Sequence, residues 1–190
     1  MPHDAAPLGS GPQKLVISNV GLMLSGMLEQ PILDADCVVA EHGRIIAIGR
    51  EKELDTAGAT TWIDANGVTL CPGLIDSHVH PVVGDYTPRQ SQLNWIDSTL
   101  HGGVTTLISA GEVHMPGRPR DIVGLKAMAI AAQRWYENFR PSGVKVMAGA
   151  PIIEHGMVEA DFRELSAAGV RLLGEVGLGS VKDGDRKSVV

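Results

Sequence analysis

Two rhythms of apolar and polar positions divide the chain. From Lys14 the apolar residues come in short, β-branched runs: Lys14 to Asn19, Val20 to Leu24 and Cys37 to Ala40. Arg44 to Ile48 is placed to pair with the last of these across Glu41-His42-Gly43. Asp64-Ala65-Asn66-Gly67 adds a turn signal, because Asn-Gly tolerates the positive φ angles of tight hairpins. Together these runs predict a partial β-sandwich module over residues 14–67, small for a generous core of its own. Residues 1–13, rich in Pro, Gly and Ala, read as a disordered leader.

From Val68 the rhythm changes. An apolar run leads into Pro72-Gly73-Leu74-Ile75-Asp76-Ser77-His78-Val79-His80, which reads as a buried strand. Pro88 to His101 then predicts a helix with Leu93, Ile96 and Leu100 on one stripe, stopped by Gly102-Gly103. Val104 to Ala110 is the next strand. Asp121 to Phe139 is a long helix with Ile122, Leu125, Ala129, Ala132 and either Trp135 or Tyr136 along one face, and Pro141 lies beyond its end. Lys145 to Ala150, a helix from Glu159 to Ala168 closed by Gly169, and a strand from Val170 to Val176 follow. Strands alternating with helices predict an α/β fold with a parallel sheet over residues 68–180. The pattern lapses after Gly177, and residues 181–190 read as an irregular tail.

Composition changes this picture little. With 190 residues, 44% hydrophobic and 20% charged, the chain is long enough for one domain or a small pair and carries no sign of wholesale disorder. Its net charge of -6 is scattered, and aromatic residues make up only 4%, which argues against a nucleic-acid partner. Cys37 and Cys71 form no Cys-x-x-Cys pair and read as buried free thiols in a reducing compartment. No apolar run approaches the ~18 residues of a membrane span, and the N-terminal residues lack a charged start followed by an apolar stretch. A cytoplasmic protein without a membrane partner is expected.

The candidate chemistry sits at strand ends. Alternate side chains of a strand share a face, so Asp76, His78 and His80 are expected to point one way and Ile75, Ser77 and Val79 the other. Two imidazoles at i and i+2 can meet one cation, and imidazole suits zinc and iron; the alternative is a pair of histidines hydrogen-bonded in a core. In parallel βα architectures reactive groups gather at the C-terminal ends of strands. Glu112 and His114 follow the second strand, Glu154 and His155 the third, and Glu175 ends the fourth. Glu175 is either a ligand or an ordinary salt-bridged carboxylate. His3, His42, His101 and His155 read as tail, turn, helix-end and loop residues.

The stretch from Pro72 to His80 resembles the first barrel strand of the amidohydrolase superfamily, metal-dependent hydrolases with a (β/α)8 TIM barrel and a small β-domain. Residues 82–90, Leu100 to Thr106, Ser109 to His114 and Asn138 to Val146 resemble the enamidase branch, and the resemblance runs from about Lys14 to Gly179. It implies a partial barrel of about four βα units behind the β-module. It also implies a binuclear centre of Zn2+ and/or Fe2+, with His78, His80 and Glu175 as metal ligands. Glu175 would bridge the ions, at the end of the fourth strand, where many members carry a carboxylated lysine. Asp76 would orient a histidine or the strand from one layer below, and Arg89, Glu112 and His114 would bind substrate. A ring carboxylate suits a guanidinium, for which Arg89 and Arg118 are candidates, each otherwise a solvated surface arginine.

The implied reaction is hydrolysis of a C–N bond in a cyclic amide, a partly reduced 6-oxonicotinate ring in the enamidase case. The second metal's histidines and a late aspartate come from later strands in the family and have no counterpart in this sequence. The chain is therefore expected to be an N-terminal portion, inactive alone, and either homo-oligomeric or poorly soluble. Two alternatives remain open: a superfamily member acting on another substrate, such as a dihydroorotase, an imidazolonepropionase or an N-acetylglucosamine phosphate deacetylase, or a non-catalytic fragment that binds one metal weakly.

Overall fold

The computed structural model describes residues 13–81, 92–111 and 118–175. The leader before Gln13, Arg89, Glu112, His114 and the tail from residue 181 lie outside the described residues. Two compact units make up the chain, Met1–Pro72 and Gly73–Val190.

The first unit holds β1 (Lys14–Ser18), β2 (Leu22–Leu24), β3 (Ile32–Leu33), β4 (Cys37–Glu41), β5 (Arg44–Gly49), β6 (Thr61–Asp64) and β7 (Thr69–Leu70). A four-stranded sheet in the order β5-β4-β1-β6 is accompanied by a three-stranded sheet, β3-β2-β7. The expected hairpin forms, with Glu41 opposite Arg44. His42 (φ 48°) and Gly43 (φ 75°) both take the left-handed conformation that matches strand twist in a two-residue turn. Alternation along β1 feeds two cores. Val16 packs with Cys37 and Val39 under Ala47, Leu54 and Ala59. Ile17 turns the other way, toward Val38, Met23, Leu33 and Leu70. Strands β3 and β7, two residues each, are too short to show a period in sequence, and β6 is an edge strand with only Thr61 half-buried.

In the second unit, β8 (Leu74–Val79), β9 (Val104–Ser109) and β10 (Lys145–Met147) form a parallel sheet in the order β10-β9-β8. Helix α1 (Gln92–His101) links β8 to β9, α2 (Ile122–Asn138) precedes β10, and α3 (Glu159–Ala167) follows it. Asp121 caps α2 by accepting a hydrogen bond from the Gly124 amide at 2.8 Å. The buried face of α2 is Leu125, Ala129, Ala132 and Tyr136, so Tyr136 and not Trp135 continues the stripe. Ile96, Leu107, Ala132, Tyr136, Val144, Val146 and Val79 share one core. Helix α1 ends where Gly103, at φ 87°, donates to the Leu100 carbonyl.

Three expectations are corrected. The apolar run from Val68 is not one buried strand: Cys71–Gly73 separates β7 from β8, and Leu74 and Ile75 are 58% and 62% exposed because β8 is an edge strand paired on one side among the described residues. Val170 to Glu175, the described part of the fourth strand, has no strand conformation; Gly174 and Glu175 instead donate singly to Pro151 and Ala110. The described sheet is thus open, with three strands where four were expected, in a mixed α/β fold. Cys71 is exposed while Cys37 is buried, and burial pushes the Cys37 thiol above its ordinary pKa. No described helix is long and apolar enough to cross a membrane.

Candidate metal centre

Strand β8 delivers the two histidines by anchoring the residue between them. Val79 is buried in the core, opposite Ser109, and its carbonyl accepts from the Ala110 amide at 2.8 Å. His78 and His80 flank it with ring centroids 5.3 Å apart and planes at 83°. The ladder to β9 shifts register between Asp76 and Val79. There the Asp76 carboxylate accepts from the His78 amide at 3.0 Å, supplying a partner for the backbone that leads into the first histidine.

Glu175 closes the cluster. Its Oε1 lies 2.8 Å from His78 Nε2 and 3.7 Å from His80 Nε2, and one ligand atom from each residue falls within 4.8 Å of the others. Backbone contacts put Glu175 there: its amide donates to Ala110 O at 2.6 Å, and Gly174 N donates to Pro151 O at 2.9 Å. A Cβ on Gly174 would stand 3.0 Å from both Gly111 Cα and Pro151 O, so only glycine permits the approach without a shift.

The donor set fits a divalent ion. His80 Nδ1 is 3.0 Å from the Gly111 carbonyl. A carbonyl only accepts, so Nδ1 donates this bond and leaves Nε2 facing Glu175. Donors around a tetrahedral zinc stand roughly 3.4 Å apart, given metal bonds of about 2.0–2.2 Å, which matches the His80–Glu175 spacing and requires the His78–Glu175 pair to open slightly. His78 Nε2 and Glu175 Oε1, 2.8 Å apart, lie within hydrogen-bonding distance, and a cation held between them would take the place of that contact. The His78 side chain is 63% exposed and those of His80 and Glu175 30%, which leaves room for water beside three protein ligands.

Other strand-end candidates fall elsewhere. Glu154 is buried and paired with Arg118 Nη2 at 2.9 Å. Arg118 is therefore no solvated surface group; its Nη1 is also buried, without a hydrogen-bond partner among the described residues. His155 and His101 are exposed, and His42 sits in the β4–β5 turn. Sequence reasoning passed over the Ala110–Gly111 backbone, which holds both His80 and Glu175; backbone acceptors leave no residue-type signal.

No protein-family model matches the chain. The enamidase of Eubacterium barkeri is 52% identical over 170 residues, 90% of this chain and 44% of that protein. The crystal structure of an enamidase, described as a new member of the amidohydrolase superfamily, superposes with a TM-score of 0.84 at 51% identity, covering 93% of this chain and 46% of that one. Over its matched residues the chain is a homologue of enamidase, a member of that superfamily. A further relative, the L-hydantoinase of Paenarthrobacter aurescens, is 30% identical over 142 residues, 73% of this chain and 30% of that protein. The chain spans less than half the length of each of these relatives.

Proposed function

We propose that the protein serves hydrolysis of a carbon–nitrogen bond in a cyclic amide, as an enamidase-type amidohydrolase, with His78, His80 and Glu175 as metal ligands. What supports this most is the convergence of two imidazole nitrogens on one carboxylate oxygen in a chain so similar to an enamidase. The cluster is read as part of a binuclear Zn2+ and/or Fe2+ centre that His78, His80 and Glu175 would help to hold, Glu175 as the bridging carboxylate. When bound, such ions lower the pKa of water from about 15.7 toward 7 and polarise a carbonyl oxygen.

The chain's own residues supply position. Gly111 O holds the His80 ring in one tautomer, and Asp76 fixes the backbone that presents His78. Arg89, Glu112 and His114 are assigned to the substrate side. Arg118, oriented by Glu154, has a second guanidinium nitrogen to offer a ring carboxylate. The substrate class is a small cyclic amide, with 6-oxo-tetrahydronicotinate as the first candidate. We place the protein in the cytoplasm, where Cys37 and Cys71 stay reduced, as a homo-oligomer.

Titration of the chelator-treated chain with Co2+ or Zn2+ tests the ligands: uptake that weakens at least tenfold in His80→Ala and Glu175→Ala is expected, and equal affinity in all three proteins would refute the assignment. The substrate reading is tested in a chimaera in which this chain replaces the matched part of the Eubacterium enamidase. Ring opening of 6-oxo-tetrahydronicotinate, lost in the Glu175→Gln chimaera, is expected; preference for dihydroorotate or a hydantoin would favour another branch of the superfamily.

A further inference from the structure

Ser109 is a buried hydroxyl, 4% exposed, that the chemistry above does not use. Its Oγ accepts from the Gly111 amide at 3.2 Å, closing a turn at the end of β9. The Gly111 N–H and the Ala110 carbonyl belong to the same planar peptide, so the hydroxyl pins both. Ala110 O is the acceptor for the Glu175 amide, and the next carbonyl, Gly111 O, is the acceptor for His80 Nδ1. One side chain thereby controls the backbone groups that hold two of the three metal-ligand candidates. The turn is tight: Gly111 has φ 155°, and a Cβ there would meet Ile152 Cγ1 at 3.2 Å.

We propose that Ser109 is a positioning residue of the metal centre, acting through the Ala110–Gly111 peptide to fix the His80 tautomer and the approach of Glu175. The proposal rests on the reading of His78, His80 and Glu175 as ligands. Removing the hydroxyl leaves the Gly111 amide to seek another acceptor, and rotation of that peptide carries the Glu175 acceptor with it and re-aims Gly111 O. Loss of a group that orients a ligating histidine costs about 10–100-fold in metal affinity.

Two measurements test this. In 15N-histidine NMR of the wild-type chain, at a pH where imidazole is neutral, His80 is expected to carry its proton on Nδ1. In Co2+ titrations, Ser109→Ala is expected to bind at least about tenfold more weakly, with a shifted visible absorption, and Ser109→Thr to recover most of both. Wild-type affinity and spectrum in Ser109→Ala would overturn the inference while leaving the ligand assignment standing. A wild-type chain that takes up no Co2+ would overturn both. Should Ser109→Ala fail to fold, the wild-type tautomer decides: a proton on His80 Nε2 refutes the proposal.

Discussion

Both units carry exposed apolar residues on end strands, but only in the βα unit does such a strand lead to the candidate ligands. In the β-module the centre of the sheet is buried on both faces, through Val16 and Val39 on one and Ile17 and Val38 on the other. Five of its exposed apolar residues, Ile45, Ile46, Ile48, Trp62 and Ile63, belong to the end strands β5 and β6, and Ile32 on the short β3 is exposed as well. In the βα unit the core gathers where α1 and α2 meet β9 and β10, and the exposed apolar residues Leu74 and Ile75 fall on β8, the strand that leads to the histidines. Within the βα unit, the strand with the most chemistry therefore buries the smallest share of its described side chains. Backbone pairing to β9 and the buried Val79 at its end hold it in place, not a core along its length.

Substitutions can break or sharpen this contrast. The largest effect is expected from Leu107→Ala, which empties a fully buried position of β9 and should cost about 2–5 kcal/mol in denaturant unfolding. Ile75→Ala on β8 and Ile46→Ala on β5 should each stay within roughly 0.5 kcal/mol. If Ile75→Ala rivals Leu107→Ala, the contrast is wrong. Asp121→Ala, which removes the α2 cap, should cost about 1 kcal/mol by the same measurement, showing how far the βα unit relies on its helices.

The smallest effect concerns pH. Lys126 Nζ, 2.8 Å from Asp161 across α2 and α3, and the Val158 amide hold the Asp161 carboxyl below its ordinary pKa. A carboxyl lowered on folding stabilises above its unfolded pKa and loses that contribution as pH falls through the folded value. The deficit of Lys126→Met relative to wild type should therefore be seen at neutral pH and fade in acid. A deficit independent of pH would remove the ion pair from the account of α2–α3 packing.

Much of this was legible in the residues because local rules decided it. Periodicity located α2 and its buried face, Asp121 and Gly103 marked helix ends, and His42-Gly43 set the β4–β5 hairpin through the twist of its turn. The spacing of His78 and His80 raised the metal site. What escaped was decided by distant partners. Whether Leu74 and Ile75 are covered depends on which strands flank β8, and whether Val170 to Glu175 forms a ladder depends on what it meets. Arg118 looked like a surface group because nothing local discloses that Glu154, 36 positions on, would bury it. The Ser109–Gly111 turn escaped for the same reason: its partners are the Val79 carbonyl, the His80 ring and the Glu175 amide.

The candidate ligand cluster draws on segments almost a hundred positions apart in sequence, His78 at one end and Glu175 at the other. A cation seated there is in effect a removable cross-link that closes a long loop of chain. Because the unfolded chain brings no such donors together, any affinity for the ion is added to the stability of the folded unit. Metal loading should slow hydrogen exchange at Ala110 and Glu175, whose amides tie the loop shut, before it is felt in the helices.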